Sequence, residues 1–452
     1  MSSKTPFRRA MVQVSVAAAI LFGGSARAEN SAILKGDYVL PDTPLAAFQN
    51  AKLSNSIAND RKVLLGSIGS DLWHGADDPS DEFWMITDRG PNGQIAVNTE
   101  NRRTFAVPEF NPAILKVKAV DGAIRILDTI PIVTRSGKPV TGMPNMQGRD
   151  ETPYDYSGQK TLPLNPNGLD SEGLVRTRAG DFWVVDEYGP SLLKIAPGGK
   201  VVKRYVPKGL GLKGTDYDVA EALPGIFAKR KINRGFEGIA MSPDEKTLYL
   251  ALQSPLLNPD KKTGDRSRQT RFLAFDVAAE KITAEYVYRF DDSKEFDPAH
   301  SAPDEMKVSS LVAIAPGTLL VVERTDWVAK IYRVELSAET NVLGTHWDDP
   351  GISPALEALN DASADYQALA KTLVVDLSKL SAVPEKIEGL AVLDATTIVV
   401  SNDNDFDIGD FDAQGNNVGK RAKNRILVIK LPAAQALQVN TAEQLTAELP
   451  AR

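Results

Sequence analysis

The chain has 452 residues, no cysteine, and a formal net charge of −7. That length holds two ordinary domains or one large repeat fold, and disulfides and thiolate metal sites are excluded. An acidic chain also lacks the basic footprint that a nucleic-acid partner needs, so none is expected.

In chain order, the first segment reads as an export signal. Lys4, Arg8 and Arg9 precede an apolar run from Met11 to Phe22, and Ala26-Arg27-Ala28 supplies a small-x-small cleavage site. The run is too short for a membrane span. We therefore expect cleavage after Ala28, a mature domain at 29–452, and a periplasmic or secreted product. The pair Arg8-Arg9 leaves Sec and twin-arginine export both open. Removing Lys4, Arg8, Arg9 and Arg27 takes the net charge to −11, so an anionic substrate would need local Arg/Lys or a bound cation.

The mature chain is dominated by short apolar runs such as Phe83–Thr87, Phe182–Val185, Leu248–Leu252, Leu319–Val322 and Ile398–Ser401. Aromatic and β-branched residues bounded by Gly, Pro, Asp and Asn predict strands. Helical insertions are expected at Tyr217–Lys231 and Ala355–Leu373. Three segments start alike, Glu172-Gly173-Leu174, Glu237-Gly238-Ile239 and Glu388-Gly389-Leu390, with weaker copies at Ser70-Asp71-Leu72 and Ser309-Ser310-Leu311. A polar residue follows the second strand of each: Asp88, Glu187, Gln253, Arg324 and Asp403, at spacings of 18, 15, 16, 15 and 15. One hairpin used five times, each followed by more strand, predicts a β-propeller with short helical insertions. Ala32–Leu40 and Val63–Ile68 could supply a further blade with the C-terminal strand, so six blades are expected, with five or seven as alternatives.

In a propeller the innermost strands run in one direction, so equivalent strand starts gather at one end of the channel. Glu172, Glu237 and Glu388 are thus expected to converge, either around a hard cation such as calcium or each capping its own hairpin. The strand ends form a second ring: Asp88-Arg89, Asp186-Glu187-Tyr188, Glu323-Arg324 and Asn402-Asp403. With Lys307, this mixture of carboxylate and guanidinium suits a metal and an anionic ligand, or else salt bridges between blades. Arg266, Arg268 and Arg271 are further anion-binding candidates. Asp403, Asp405 and Asp407 alternate as in a calcium loop, but the spacing is not that of an EF-hand. Neither a Gly-x-Ser-x-Gly elbow nor a thiol is present, and the three histidines, His74, His300 and His346, are far apart.

The stretches FWMITDRGPNGQ (83–94), GLDSEGLVRTRAGDFWVVDEYGP (168–190), NRGFEGIAMSPDEKTLYLALQSPL (233–256) and KIEGLAVLDATTIVVSNDND (386–405) resemble the phytase-like family, described as having esterase-like activity of phytase. The Glu-Gly starts are also similar to those of gluconolactonase and paraoxonase propellers, where such a glutamate helps hold calcium in the channel. These resemblances imply a calcium-dependent hydrolase of phosphoric or carboxylic esters acting on a small anionic or ester substrate. The expected metal ligands are Glu172, Glu237, Glu388, Asp88, Asp186 and Asp403. His74, Arg89 and Arg324 are the catalytic candidates; Arg268, Arg271, Lys307, Glu187 and Tyr188 are those for substrate. A lactonase or arylesterase shares the metal, and a non-catalytic ligand-binding or scaffold propeller shares only the rim.

Overall fold

The computed structural model describes residues 1, 31–359 and 366–439; the segment expected to be an export signal falls almost wholly outside the described residues. The repeats of the sequence become four-stranded antiparallel blades. The first contains Asp71–Trp73, Glu82–Ile86, Ala113–Val120 and Ala123–Pro131. The second contains Ser171–Arg176, Phe182–Asp186, Ser191–Ile195 and Val201–Pro207, extended by the parallel strand Asp218–Leu223. Phe236–Met241, Thr247–Leu252, Gln269–Asp276 and Lys281–Arg289 build the third. Lys307–Ala315, Thr318–Arg324, Ala329–Glu335 and Lys371–Asp376 build the fourth. The innermost strands of adjacent blades lie against one another in a closed ring.

The ring closes with the two ends of the chain. Ile387–Asp394, Thr397–Asn402 and Arg425–Lys430 form the inner part of the last blade, and the N-terminal strand Ile33–Val39 completes it, paired from Ile33↔Lys430 to Val39↔Arg425. This corrects the expectation of six blades. Ala32–Leu40 seeds no sixth blade, because its hydrogen bonds go to the C-terminal strand. Val63–Ile68 forms no strand of its own. Among the described residues there are five four-stranded units, the first and last joined by one parallel pair, Val39↔Ala123.

The helical insertions are also corrected. Tyr217–Lys231 contains the strand Asp218–Leu223 and a short 3-10 turn, Gly225–Lys229. Within Ala355–Leu373 the described residues give a turn at Leu356–Ala358 and the start of a strand at Lys371. Apolar spacing in both segments serves packing against a sheet rather than a helical face.

Apolar side chains fill the wedges between blades. Between the second and third, Trp183, Val185, Tyr205, Ile239, Leu250 and Phe275 are buried together, each contributing on the order of 1.5–3 kcal/mol by leaving water. The innermost strands come closest at the glycines of the Glu-Gly starts. A Cβ on Gly173 would lie 2.7 Å from the Glu237 carbonyl oxygen, one on Gly238 2.5 Å from that of Ser309, and one on Gly389 2.7 Å from the Leu72 nitrogen. Glycine is there because the next blade's backbone occupies the space.

Candidate functional site at the channel mouth

The glutamates preceding those glycines sit in β-bulges. Ser171 pairs with Asp186 and Gly173 with Val185, so Glu172 is the extra residue. Glu237 is extra between Phe236↔Leu252 and Gly238↔Ala251, and Glu388 between Ile387↔Asn402 and Gly389↔Ser401. A bulge releases one residue from the pleat and re-aims its side chain, here toward the axis. One oxygen from each of Glu172, Glu237 and Glu388 lies within 4.8 Å of the others. These glutamates and the ends of the second strands line a polar cavity of about 140 Å³.

The cavity has two electrostatic sides. On the acidic side, Asp88, Asp170 and Glu172 form a second cluster within 4.8 Å. Burial raises the Glu172 carboxyl well above the usual carboxylate range, and the neighbouring Glu237, Asp88 and Asp170 raise it further. Glu187, raised to about 8 by burial and then by Glu237, stands beside them. On the other side, Arg324 donates to Glu388, to Glu237 at 3.4 Å, to Ser309 and to Asp326 at 3.1 Å. Lys307 pairs with Asp326, and burial with the charges of Arg324 and Arg234 lowers it to about 8. Lys386 pairs with Asp405 and approaches Asp403 at 3.6 Å. Asp403 accepts from Ser67 Oγ and is raised to about 6, chiefly by burial.

The rest of the acidic loop divides by role. Asp405, Phe406 and Asp407 have φ of 47°, 54° and 52°. This left-handed turn, costly for residues other than glycine, brings Asp405 within 4.8 Å of Asp88 and Asp403. Asp407 instead accepts the backbone amides of Lys420, Arg421 and Ala422 at 3.0, 3.0 and 2.8 Å. The alternating aspartates therefore do not surround one ion.

The structure brings Glu172, Glu237, Glu388, Asp88, Asp403, Glu187, Lys307, Arg89 and Arg324 to the cavity. It does not bring the other candidates. Asp186 is fully buried inside its blade, held by Arg204, by Ser191 Oγ at 2.7 Å and by the Asp170 amide at 2.7 Å. Arg271 is fully buried between Glu285 at 2.7 Å and Glu357 at 2.8 Å. Arg268 donates to the Phe290 carbonyl at 2.8 Å and lines a separate cavity with Arg266. His74 lies at the opposite mouth, in a cavity of about 390 Å³, with Nδ1 3.0 Å from the Glu82 carbonyl oxygen. Tyr188 is buried, its hydroxyl donating to the Gly142 carbonyl at 2.8 Å. Arg89 reaches the cavity, yet its guanidinium is committed to Asp170 at 2.9 Å and Glu151 at 3.0 Å.

Asp170, Asp326 and Lys386 were missed by sequence reasoning, and Asp405 was read only as part of an acidic loop. They had a signal. Asp170, Lys307 and Lys386 each stand two residues before a repeat start, and Asp326 and Asp405 two residues after a second-strand end.

Hard oxygen donors with no cation beside Glu172 fit a calcium-type ion. The fit is set by that side of the cavity alone, since Arg324 already spans Glu237 and Glu388.

Comparison with known proteins places this geometry in context. Residues 70–406 match the model of the phytase-like family, described as "Esterase-like activity of phytase". An "Uncharacterized secreted protein" of Arthroderma benhamiae is 29% identical over 287 residues, covering 53% of this chain and 54% of the relative. The match thus spans about half of that protein's length. Among solved structures, PhoX of Pseudomonas fluorescens in complex with vanadate is 10% identical with a TM-score of 0.36, covering 90% of this chain and 97% of that one. The calcium-binding protein regucalcin of Agrobacterium tumefaciens is 10% identical with a TM-score of 0.33, covering 90% and 98%. Among the described residues no helix is long and apolar enough to cross a membrane.

Proposed function

Because this chain belongs to the phytase-like family, we propose that it is an exported hydrolase of phosphoric or carboxylic esters, working with calcium at the Glu172 mouth of the channel. The carrying observation is the division of one small cavity into a carboxylate side, where among the described residues Glu172 and Asp88 have no ion pair and Asp170 is paired with Arg89, and a side where Arg324, Lys307 and Lys386 gather. The relative described as secreted and the predicted signal segment support export.

Glu172, Asp88 and Asp170 would hold calcium. Bound there, the ion would supply Lewis acidity toward an ester oxygen. The chain's own groups do the rest. Arg324, Lys307 and Lys386 bind and orient the anionic head of the substrate, and a cavity of about 140 Å³ admits that head rather than a whole polyphosphate ring. Lys307 Nζ, lowered to about 8, is charged at neutral pH yet gives up its proton readily to a leaving oxygen. Arg89 positions Asp170 through its 2.9 Å ion pair.

The span of Arg324 across Glu237 and Glu388 favours a second reading, a ligand-binding propeller without turnover. The purified mature protein should be assayed with phytate, an aryl phosphate, an aryl acetate and a lactone, with calcium and with chelator. Calcium-dependent phosphate or acyl release, lost in Glu172→Gln, is expected. Lactone opening alone would move the substrate class to lactones. Absence of turnover in every condition by a folded protein would leave the binding module.

A further inference from the structure

At the seam between the second and third blades, four oxygens of the same cavity are buried without a hydrogen-bond partner: Glu187 Oε1, Glu237 Oε2, Gln253 Oε1 and Asn233 Oδ1. Glu187, Glu237 and Gln253 are 2%, 2% and 6% exposed. All four atoms are acceptors.

The backbone holds Glu187, Gln253 and Glu237 close together, and Asn233 lines the same cavity. Gly235 lies so close to Glu187 that a Cβ there would be 2.4 Å from the Glu187 carbonyl oxygen. The Gly235 carbonyl accepts the Gln253 amide at 2.8 Å, and Glu237 is the bulge residue two positions on. The nearby Arg234 donates to Ser254 Oγ at 3.4 Å and bonds neither carboxylate. One oxygen from each of two carboxylates and two amide oxygens buried without donors are costly, and a water molecule brings only two hydrogens and no charge. Hard, partly neutral oxygen donors of this kind suit a calcium-type cation with six to eight ligands.

We infer that a divalent cation of calcium type binds at this seam, held by Glu187, Glu237 and Gln253 with Asn233, as a site distinct from that at Glu172. Glu237 then serves two neighbours, with Oε1 facing Arg324 at 3.4 Å and Oε2 facing the seam. Glu187, expected from the sequence to touch substrate, becomes a metal ligand. The inference does not depend on the chain being a hydrolase.

The test is the stoichiometry of calcium alone on the chelator-stripped mature chain, by calorimetric titration and by metal analysis after equilibrium dialysis. Two ions per chain are expected. Gln253→Leu and the isosteric Glu187→Gln should each remove one ion and leave the other, with unchanged circular dichroism. An unmodified chain that binds no ion overturns the inference, as do two folded seam variants that keep every ion the unmodified chain binds. A single ion that is lost in Glu172→Gln and kept in both seam variants would sink the seam site while sparing the proposed function. The converse holds for a chain that binds two and turns nothing over.

Discussion

At the scale of single residues, the most consequential side chain outside the mouth is Asp71. It stands on the innermost strand of the first blade and lines the opposite cavity. Its carboxylate accepts the Leu174 amide at 3.1 Å, the Leu72 amide at 2.9 Å and the Ser310 hydroxyl at 2.8 Å, tying three blades together. Burial nevertheless raises its pKa to about 7. A carboxyl raised on folding contributes stability that is complete below its unfolded value near 4 and is lost as pH rises through its folded value. Stability in chelator should therefore fall between pH 4 and about 7, with Asp71 supplying up to about 1.4 kcal/mol per pH unit. Urea denaturation across that range should show a slope flatter by this amount in Asp71→Asn. Parallel slopes would place the proton elsewhere. Glu187, Asp403 and Glu172 are shifted in the same sense, so calcium, which binds the deprotonated forms, should stabilise the protein more at pH 8 than at pH 5.

At the scale of the strand, the Glu-Gly start joins two requirements that sequence alone merges into one motif. The glutamate is a bulge residue freed from the pleat, whereas the glycine meets the next blade's backbone. Gly238→Ala would force a methyl against the Ser309 carbonyl, 2.5 Å away. A destabilisation of about 1–3 kcal/mol is expected from such overpacking, read from the denaturation midpoint. A neutral result would mean that the blades part at little cost. Because Glu237 adjoins Gly238, the same substitution should weaken calcium binding in proportion to the shift of the strand.

At the scale of the whole molecule, closure depends on one N-terminal strand. Ile33–Val39 supplies the outer strand of the last blade and the parallel pair to the first. Removing residues 29–40 would expose the edge Arg425–Lys430 and unlatch the ring, at some distance from the mouth. We expect a large drop in the denaturant midpoint and association through the open edge, visible by light scattering. A truncated chain as stable and monodisperse as the full one would show that the inner ring holds without its latch. Five units around one axis also explain the uneven mouth. Three of the strand starts carry glutamate, and the other two carry Ser70 and Ser309. The charge gradient across the cavity follows from which strand starts carry glutamate and which carry serine.

How much of this was legible beforehand follows from which interactions are local. The period of 15 to 18 residues, the Glu-Gly starts and the polar strand ends identified a propeller and most of its mouth, because hairpin geometry is set by neighbours in the chain. Burial partners are not. Asp186 and Arg271 read like ligands, but Arg204 and Glu285 with Glu357, contributed by other strands, hold them inside the blades. His74 shares a repeat with the mouth, yet strand direction carries it to the other end. Ring closure too was decided in three dimensions, since the N-terminal strand could start a blade or finish one. Only the unpaired edge left by the C-terminal strand, hundreds of residues away, determines which.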